Sequence, residues 1–313
     1  MPVFSVIMNC LNGEKFLKKA IDSVYSQTFK DWEIIFFDSG SIDNSVKIAS
    51  SYDSKVKIFE IENPIPLGQA RQEAVDKANG DYLAFLDVDD VWLDFKLELQ
   101  LQLMKSGDFI LSYGASNHID EKDNFLFKNI PFHKTGKLFT KLLKHNEGNF
   151  CTYVIDRKKM ISKGISFNPK LRSSCEEDMY IRLLAYEGKG IVTKKIIANY
   201  REVQGSVTSI NRNIFYDERM TTLNSLRMEN PDITTRFIKE FNSAKARAFY
   251  YKASYCMDTN KYSDAMLAIN EAIKLDKSYR IFTILIKFPF LWNLSHKFKS
   301  SLGSFWLFLN LNK

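Results

Sequence analysis

Gly80-Asp-Tyr-Leu-Ala-Phe-Leu-Asp-Val-Asp-Asp90 joins an apolar run to a cluster of acids. Its apolar core, Leu83 to Leu86, reads as a buried strand that ends in three carboxylates, Asp87, Asp89 and Asp90. Carboxylates crowded at a strand end repel one another and resist desolvation. A divalent cation removes that cost. Hard oxygen ligands suit Mg²⁺ or Mn²⁺, and Mg²⁺ keeps waters and shares its shell with substrate phosphates. A phosphate-bearing substrate is the expectation. Standing alone, the triplet also fits a solvated turn, with Asp90 as N-cap of a helix following it.

Working outward, the same strand-then-polar-loop pattern recurs. Val3 to Met8 is an apolar run that stops at Asn9-Cys-Leu-Asn-Gly13, and Phe16, Leu17, Ala20, Ile21, Val24 and Tyr25 then repeat at helical spacing. Trp32 to Phe37 predicts a second strand, ending in Asp38-Ser-Gly-Ser-Ile-Asp-Asn-Ser45, where Asp43 can cap the next helix. A third strand, Val56 to Ile61, leads through Gly68 to a helix over Gln69 to Ala78. This β/α alternation predicts an α/β protein with a doubly wound, mostly parallel sheet and a cleft at the strands' C-terminal ends. Asn9, Asp38 and Asp87 fall on that edge.

Five segments together resemble the nucleotide-binding half of family 2 inverting glycosyltransferases. Ser5-Val-Ile-Met-Asn-Cys-Leu-Asn12, Ser26-Gln-Thr-Phe29, Phe37-Asp-Ser-Gly-Ser-Ile-Asp-Asn-Ser45, Gly68-Gln-Ala-Arg71 and Phe85-Leu-Asp-Val-Asp-Asp90 occur in the family's order and spacing. The likeness thins out toward residue 210, through Glu177-Asp178 and Tyr200-Arg201. It implies a glycosyltransferase A-type, Rossmann-like fold and a nucleotide-sugar donor, UDP being favoured. By the same resemblance Asp38 and Ser39 meet the base, the Asn9 to Leu11 loop packs against it, and Arg71 offers a charged donor near the nucleotide. Asp87-Val88-Asp89 matches the family's DxD motif, with Asp89 on the metal, Mg²⁺ or Mn²⁺, and Asp87 toward the ribose or the metal's waters. Asp90 caps or orients.

The chain departs from the pattern at three points. Ser39 stands where the family commonly has a second Asp, Asn9 and Leu11 replace a common Thr and aromatic, and Val203 occupies a position often held by His. The first two leave base preference open; the third leaves the role of the Tyr200 to Thr208 loop open, between a cover over the diphosphate and a plain hairpin.

Inversion at an anomeric carbon needs a carboxylate to take the acceptor hydroxyl's proton. Ser173-Ser-Cys-Glu-Glu-Asp-Met-Tyr-Ile-Arg-Leu-Leu184 supplies three at the start of a helix, where negative charge is tolerated. Ordinary acidic capping would look the same. The family's Glu-Asp motif falls here, which implies Asp178 as the base and Glu177 as its positioning neighbour.

With 313 residues, 45% hydrophobic and 26% charged, the chain is an ordinary globular protein with room for a full core and an appendage. A formal charge of +7 favours anionic partners, among them nucleotide phosphates and an acidic membrane face. The four Cys and four His show no metal-site spacing, which predicts reduced, buried thiols. With no secretory signal at the N-terminus, the expectation is a cytoplasmic protein, attached peripherally to the inner face of the plasma membrane. The divisions expected are a catalytic domain over 1–212 (donor half 1–90, acceptor half 91–212), a helical extension over 213–278 holding one tetratricopeptide-like helix pair, and a basic aromatic tail over 279–313. Lysines interleaved with Phe288, Phe290, Trp292, Phe305 and Trp306 suit an anionic membrane interface, and equally a face packed on the protein itself. No nucleic-acid recognition motif is present.

The expectation is a metal-dependent glycosyltransferase acting on a cell-surface glycan or lipid-linked acceptor, of lipopolysaccharide or capsule type. Two other readings fit parts of the pattern. Asp87-Val-Asp-Asp-Val91 matches the Asp-x-Asp-x-Val signature of haloacid-dehalogenase-type phosphatases, with Asp87 as nucleophile, and the departures at Leu11 and Ser39 would suit a non-catalytic nucleotide-sugar scaffold.

Overall fold

The computed structural model describes residues 1–185, 188–205 and 211–297. The chain divides into two compact units, Met1–Leu142 with Asn146–Ser206, and Leu143–His145 with Val207–Lys313.

In the first unit, four strands lie parallel in the order β3 (Val56–Ile61), β2 (Trp32–Ser39), β1 (Phe4–Cys10), β4 (Tyr82–Phe85). Every residue of β1 and β2 is buried, as in strands covered on both faces, and the buried Ser5 donates to Glu33 at 2.6 Å across them. The helices between them are α1 (Glu14–Tyr25), α2 (Ser45–Ala49) and α3 (Leu67–Asp76). Because β2 lies on one side of β1 and β4 on the other, the chain reverses direction across the sheet at β1. A crevice opens at such a switch point, outside the carboxyl ends of the strands.

Beyond β4 the sheet becomes mixed, in the order β9 (Val154–Asp156), β6 (Leu111–Ile119), β10 (Lys189–Arg201), β5 (Val91–Trp92), with β7 (Phe125–Asn129) on β6 and β8 (Gly136–Lys137) on β10. Strand β9 is antiparallel to both β4 and β6, so β6 and its parallel partner β10 point the same way as β4. Their C-terminal ends therefore join the same edge. Helices α4 (Lys96–Lys105), α5 (Phe139–Lys144), α6 (Arg157–Ser162) and α7 (Cys175–Leu184) complete the series. Asp90 caps no helix: Val91 and Trp92 form β5 against Asn199 and Ala198, and the next helix waits until Lys96. Burial of the Asp90 carboxylate on that ladder takes it out of reach of α4.

Gly68 fixes how closely α3 meets the loop that precedes α7. Its N–H donates to the Leu171 carbonyl at 2.9 Å, and a Cβ there would come within 2.1 Å of the Asn168 carbonyl oxygen. Backbone cannot yield as a side-chain tip can. Gly68→Ala is expected to cost about 1–3 kcal/mol, the usual range for overpacking, read as a lower urea midpoint.

The second unit is helical. Ile238–Asp258 and Tyr262–Leu275 form an antiparallel hairpin whose interface holds Ala246, Ala253, Ala265, Ala268 and Ala272. Small residues let two helix backbones approach closely. Tyr279, Phe282, Ile286 and Trp292 join the same core, whereas Ile281, Ile284, Phe288, Phe290 and Leu291 are exposed. The tail segment is thus two-faced as far as it is described; Phe305 and Trp306 lie outside the described residues. Among those described, no helix is long and apolar enough to cross a membrane. All four cysteines are free and buried, as their spacing predicts.

Candidate active site

The first two loops of the edge are tied to each other. Asn12 N–H donates to Ser41 Oγ at 2.8 Å, Gly13 N–H to Ser45 Oγ at 2.9 Å, Glu14 N–H to Asp43 Oδ2 at 3.0 Å, and Ile42 N–H to Asn12 Oδ1 at 2.9 Å. Asp43 also accepts from Ser45 N–H at 2.9 Å, so it serves the starts of both α1 and α2. The turn needs a left-handed residue, and Gly40 supplies it at φ +80°. Ser41 and Ser45 carry no sequence signal of this role beyond a serine-rich loop.

This brace fixes the ends of β1 and β2, where Asn9 is paired with Phe37 and Cys10 with Asp38. Asp38 Oδ2 accepts from Ser41 N–H at 2.8 Å, and Asn9 Nδ2 donates to the Ala70 carbonyl at 2.8 Å. The second oxygen of each, Asp38 Oδ1 and Asn9 Oδ1, is buried with no hydrogen-bond partner. Buried polar atoms are rarely left so. Ser39 Oγ is occupied by the Ile65 N–H at 3.2 Å, while Leu11 is half exposed at the rim. Val88 packs over Gly13, where an added Cβ would meet its Cγ2 at 2.8 Å.

Arg71 is the joint of the site. Its guanidinium is buried, donates from Nη2 to Asp87 Oδ1 at 2.8 Å and from Nε to Glu176 Oε1 at 2.7 Å, and lies 5.0 Å from the Phe150 ring centroid. Burial works against its charge, but the Asp87 and Glu176 carboxylates outweigh it and hold Arg71 protonated. Nη1 keeps a free donor among the described contacts. Through this one side chain the acidic start of α7 stands beside the Asp87–Asp90 loop. Neither Glu176 nor Phe150 could be paired with Arg71 from sequence, since both contacts span long chain separations.

Arg201 anchors the other side of that loop. Its backbone N–H donates to Asp90 Oδ1 at 2.8 Å, its Nε to the Asp89 carbonyl at 2.8 Å, and its Nη1 to the Asp120 carbonyl at 2.9 Å with Asp123 Oδ1 at 2.7 Å. The carboxylates it surrounds are strained electrostatically. Burial, and then the Asp87 charge, pushes Asp89 up to about 6; burial with the Asp89 and Asp87 charges raises Asp90 further.

A divalent cation fits this donor set. Asp89 is engaged by no other side chain among the described contacts, and a cation would relieve its repulsion with Asp87. No group of three His, Cys, Asp or Glu ligands is assembled among the described residues. One or two carboxylates, completed by waters and substrate phosphates, are what Mg²⁺ ordinarily takes.

On α7, Asp178 is wholly buried and its Oδ2 accepts from Arg182 Nη1 at 3.0 Å, one helical turn on; Arg182 also donates to the Ser166 carbonyl at 2.9 Å. Glu177 is half-buried, close enough to Tyr153 for its charge to raise that phenol, after burial and Glu147. The Tyr200–Arg201 end of the following loop is described, whereas its Ser206-Val-Thr208 end lies outside the described residues.

Behind the site, Lys96 is fully buried at the first turn of α4 with its Nζ 4.0 Å from the centre of the Trp92 ring and no hydrogen-bond acceptor. Burial lowers it to about 7. An unfolded lysine titrates near 10.4, so between about pH 7 and 10 the unfolded chain holds the extra proton and stability rises with pH. Lys96→Met is expected to stabilise the protein by on the order of a few kcal/mol at pH 6, the ring having offset part of the cost, and by almost nothing at pH 10. Urea midpoints at the two pH values check it.

A parallel nucleotide-binding half, a mixed second half and a carboxylate-lined edge at the strand switch are the architecture of the glycosyltransferase A-type fold. The chain belongs to glycosyltransferase family 2, whose model matches residues 5–166, over half its length. Accordingly it is a glycosyltransferase, which sets aside the phosphatase reading of Asp87. It is 31% identical over 209 residues, covering 66% of this chain and 79% of the relative, to the UDP-Glc:alpha-D-GlcNAc-diphosphoundecaprenol beta-1,3-glucosyltransferase WfgD of Escherichia coli. Among solved structures it resembles S. aureus TarS 1-349 in complex with UDP-GlcNAc, with TM-score 0.61, 15% identity, and 88% of this chain and 90% of that one covered. It also resembles the mannosyltransferase PcManGT of Pyrobaculum calidifontis in complex with GDP-Man and Mn²⁺, with TM-score 0.59, 13% identity, and 94% and 86% covered. At such identities the two structures speak for the fold.

Proposed function

We propose that this glycosyltransferase moves a sugar from a UDP-sugar, with inversion and with a divalent cation, onto a hydroxyl of a lipid-linked cell-surface glycan of the lipopolysaccharide or capsule type. The observation that carries the reading is the pair of buried, unpartnered acceptors, Asp38 Oδ1 and Asn9 Oδ1, at the strand switch. A uracil edge presents one N–H donor, at N3, to such an atom, and a base ring fits a crevice between strand ends. UDP is favoured because the E. coli relative is named for UDP-Glc. The lipid-linked acceptor follows from the diphosphoundecaprenol in the same relative's name.

Asp89, with Asp87 beside it, would hold the cation, which when bound supplies charge neutralisation to the departing diphosphate. Arg71 keeps Asp87 aimed at the cleft and offers Nη1 toward the phosphates. Asp178 takes the proton from the acceptor hydroxyl, with Glu177 positioning it. The proposed place of work is the cytoplasmic face of the plasma membrane, with the exposed Ile281, Ile284, Phe288, Phe290 and Leu291 of the tail segment against it.

Calorimetry of a nucleotide-sugar panel, with and without Mn²⁺, tests the reading. Heat with a UDP-sugar that disappears on chelation is the expected result. Equal binding in the presence of chelator would overturn the metal's part, and a preference for a guanine nucleotide would overturn the donor.

A further inference from the structure

A second feature stands at the β6 end of the same edge. The hairpin formed by β6 and β7 and the segment that follows it expose Phe125, Leu126, Ile130 and Phe132 to 57%, 47%, 50% and 39% within one short run. Strand β7 pairs only with β6 among the described residues, with Phe127 opposite His118 and Phe125 opposite Ile119, so its outer edge is open. Isolated exposed apolar side chains are ordinary, but four on and beside one open edge are a surface with a purpose or an aggregation hazard.

Charge selects between occupants. Lys122, Lys128 and Lys134 are exposed in this segment and take part in no ion pair among the described contacts. Of the neighbouring acids, Glu121 pairs with Lys15 and Asp123 with Lys19 and Arg201, while Asp120, hydrogen-bonded to Asn124, leaves one negative charge against the three lysines. The patch is therefore basic as well as apolar. A second copy of the chain, pairing edge to edge, would set these lysines against their own images, and like charges across a strand pair are destabilising. An anionic bilayer satisfies both halves of the pattern, taking the rings and aliphatic chains at headgroup depth and the lysines on phosphates.

We propose that the 122–134 hairpin segment docks on an anionic membrane surface and so sets the strand-end edge of the catalytic unit at the bilayer. In its purpose this rests on the lipid-linked acceptor proposed above; as a binding surface it stands by itself. Only lipid whose phosphate headgroups carry net negative charge should recruit it.

The four native cysteines are buried, so Leu126→Cys in the full chain can be labelled selectively with an environment-sensitive fluorophore. On phosphatidylcholine vesicles containing phosphatidylglycerol the label is expected to shift to the blue, and on pure phosphatidylcholine to stay as in water. Replacing Lys122, Lys128 and Lys134 together by Gln should weaken that response about 100-fold, at roughly fivefold per lysine. A label that remains in water while the chain sediments with anionic vesicles would overturn the proposal, since another part of the chain would then be the anchor. A concentration-dependent shift without lipid, lost in an edge variant such as Phe125→Lys, would overturn it in favour of a self-interface. UDP binding in Mn²⁺ should be unchanged in the lysine variant. Wild-type protein that reaches the membrane but binds no UDP would defeat the proposed donor and leave the docking surface standing.

Discussion

Asp178→Asn is expected to bind a UDP-sugar as tightly as the wild type and to lose about 10³-fold in kcat, within the range that a positioned general base contributes. The structure makes this a demanding test. Asp178 is covered and paired with Arg182, so an amide there leaves a half-buried guanidinium short of a charge and can also destabilise the helix. Three readouts separate the roles. Loss of turnover with donor affinity and thermal midpoint retained marks a base that is uncovered when substrates bind. Parallel loss of midpoint, donor affinity and turnover marks Asp178 as a structural partner of Arg182. Retained turnover in Asp178→Asn with collapse in Glu177→Gln moves the base to Glu177, the more accessible carboxylate of the pair.

Asp89→Ala is expected to remove the Mn²⁺-dependent part of donor binding and to cost about 10³-fold or more in turnover, the several kcal/mol that Lewis-acid stabilisation of a leaving group supplies. The same residue carries a stability signature with a definite sign. Its folded value of about 6 lies above the unfolded value near 3.9, so the folded state holds the extra proton and its advantage is intact below about pH 4. As pH rises through about 6 that advantage is lost. Metal-free Asp89→Asn should therefore be more stable than wild type at pH 7 and no more stable at pH 4, a trade of stability for function. Thermal midpoints in chelator, compared at the two pH values, decide it. A variant less stable than wild type at pH 7 would mean that Asp89 is held by the protein itself and not poised for a cation.

Local chemistry was enough to place the strands and their polar ends. The runs at Phe4–Cys10 and Trp32–Ser39 need no distant partner to be recognised, because strands buried on both faces are written largely in apolar residues, whereas the edge strand Val56–Ile61 is broken by the exposed Lys57 and Glu60. The same holds for the carboxylates after Phe85 and the acidic first turn of α7. Boundaries were less legible. Helix α3 begins at Leu67 rather than Gln69, and Val91-Trp92 is a strand where a helix start was the simplest reading, because its ladder partners lie more than a hundred residues away on β10.

The order of elements, the carboxylates at their ends and the family they belong to are set by neighbours along the chain. Which of those charges meet is settled by packing. Arg71 joins Asp87 to Glu176, Arg201 reaches back to Asp89 and Asp90, and β9 enters antiparallel so that β6 and β10 deliver their ends to the same edge as β4. The Arg71–Glu176, Arg201–Asp89 and Arg201–Asp90 contacts each close more than a hundred residues, and they persist because burying a guanidinium is tolerable only where carboxylates and carbonyls converge on it. That condition belongs to the packed molecule and is written at no single position of the chain.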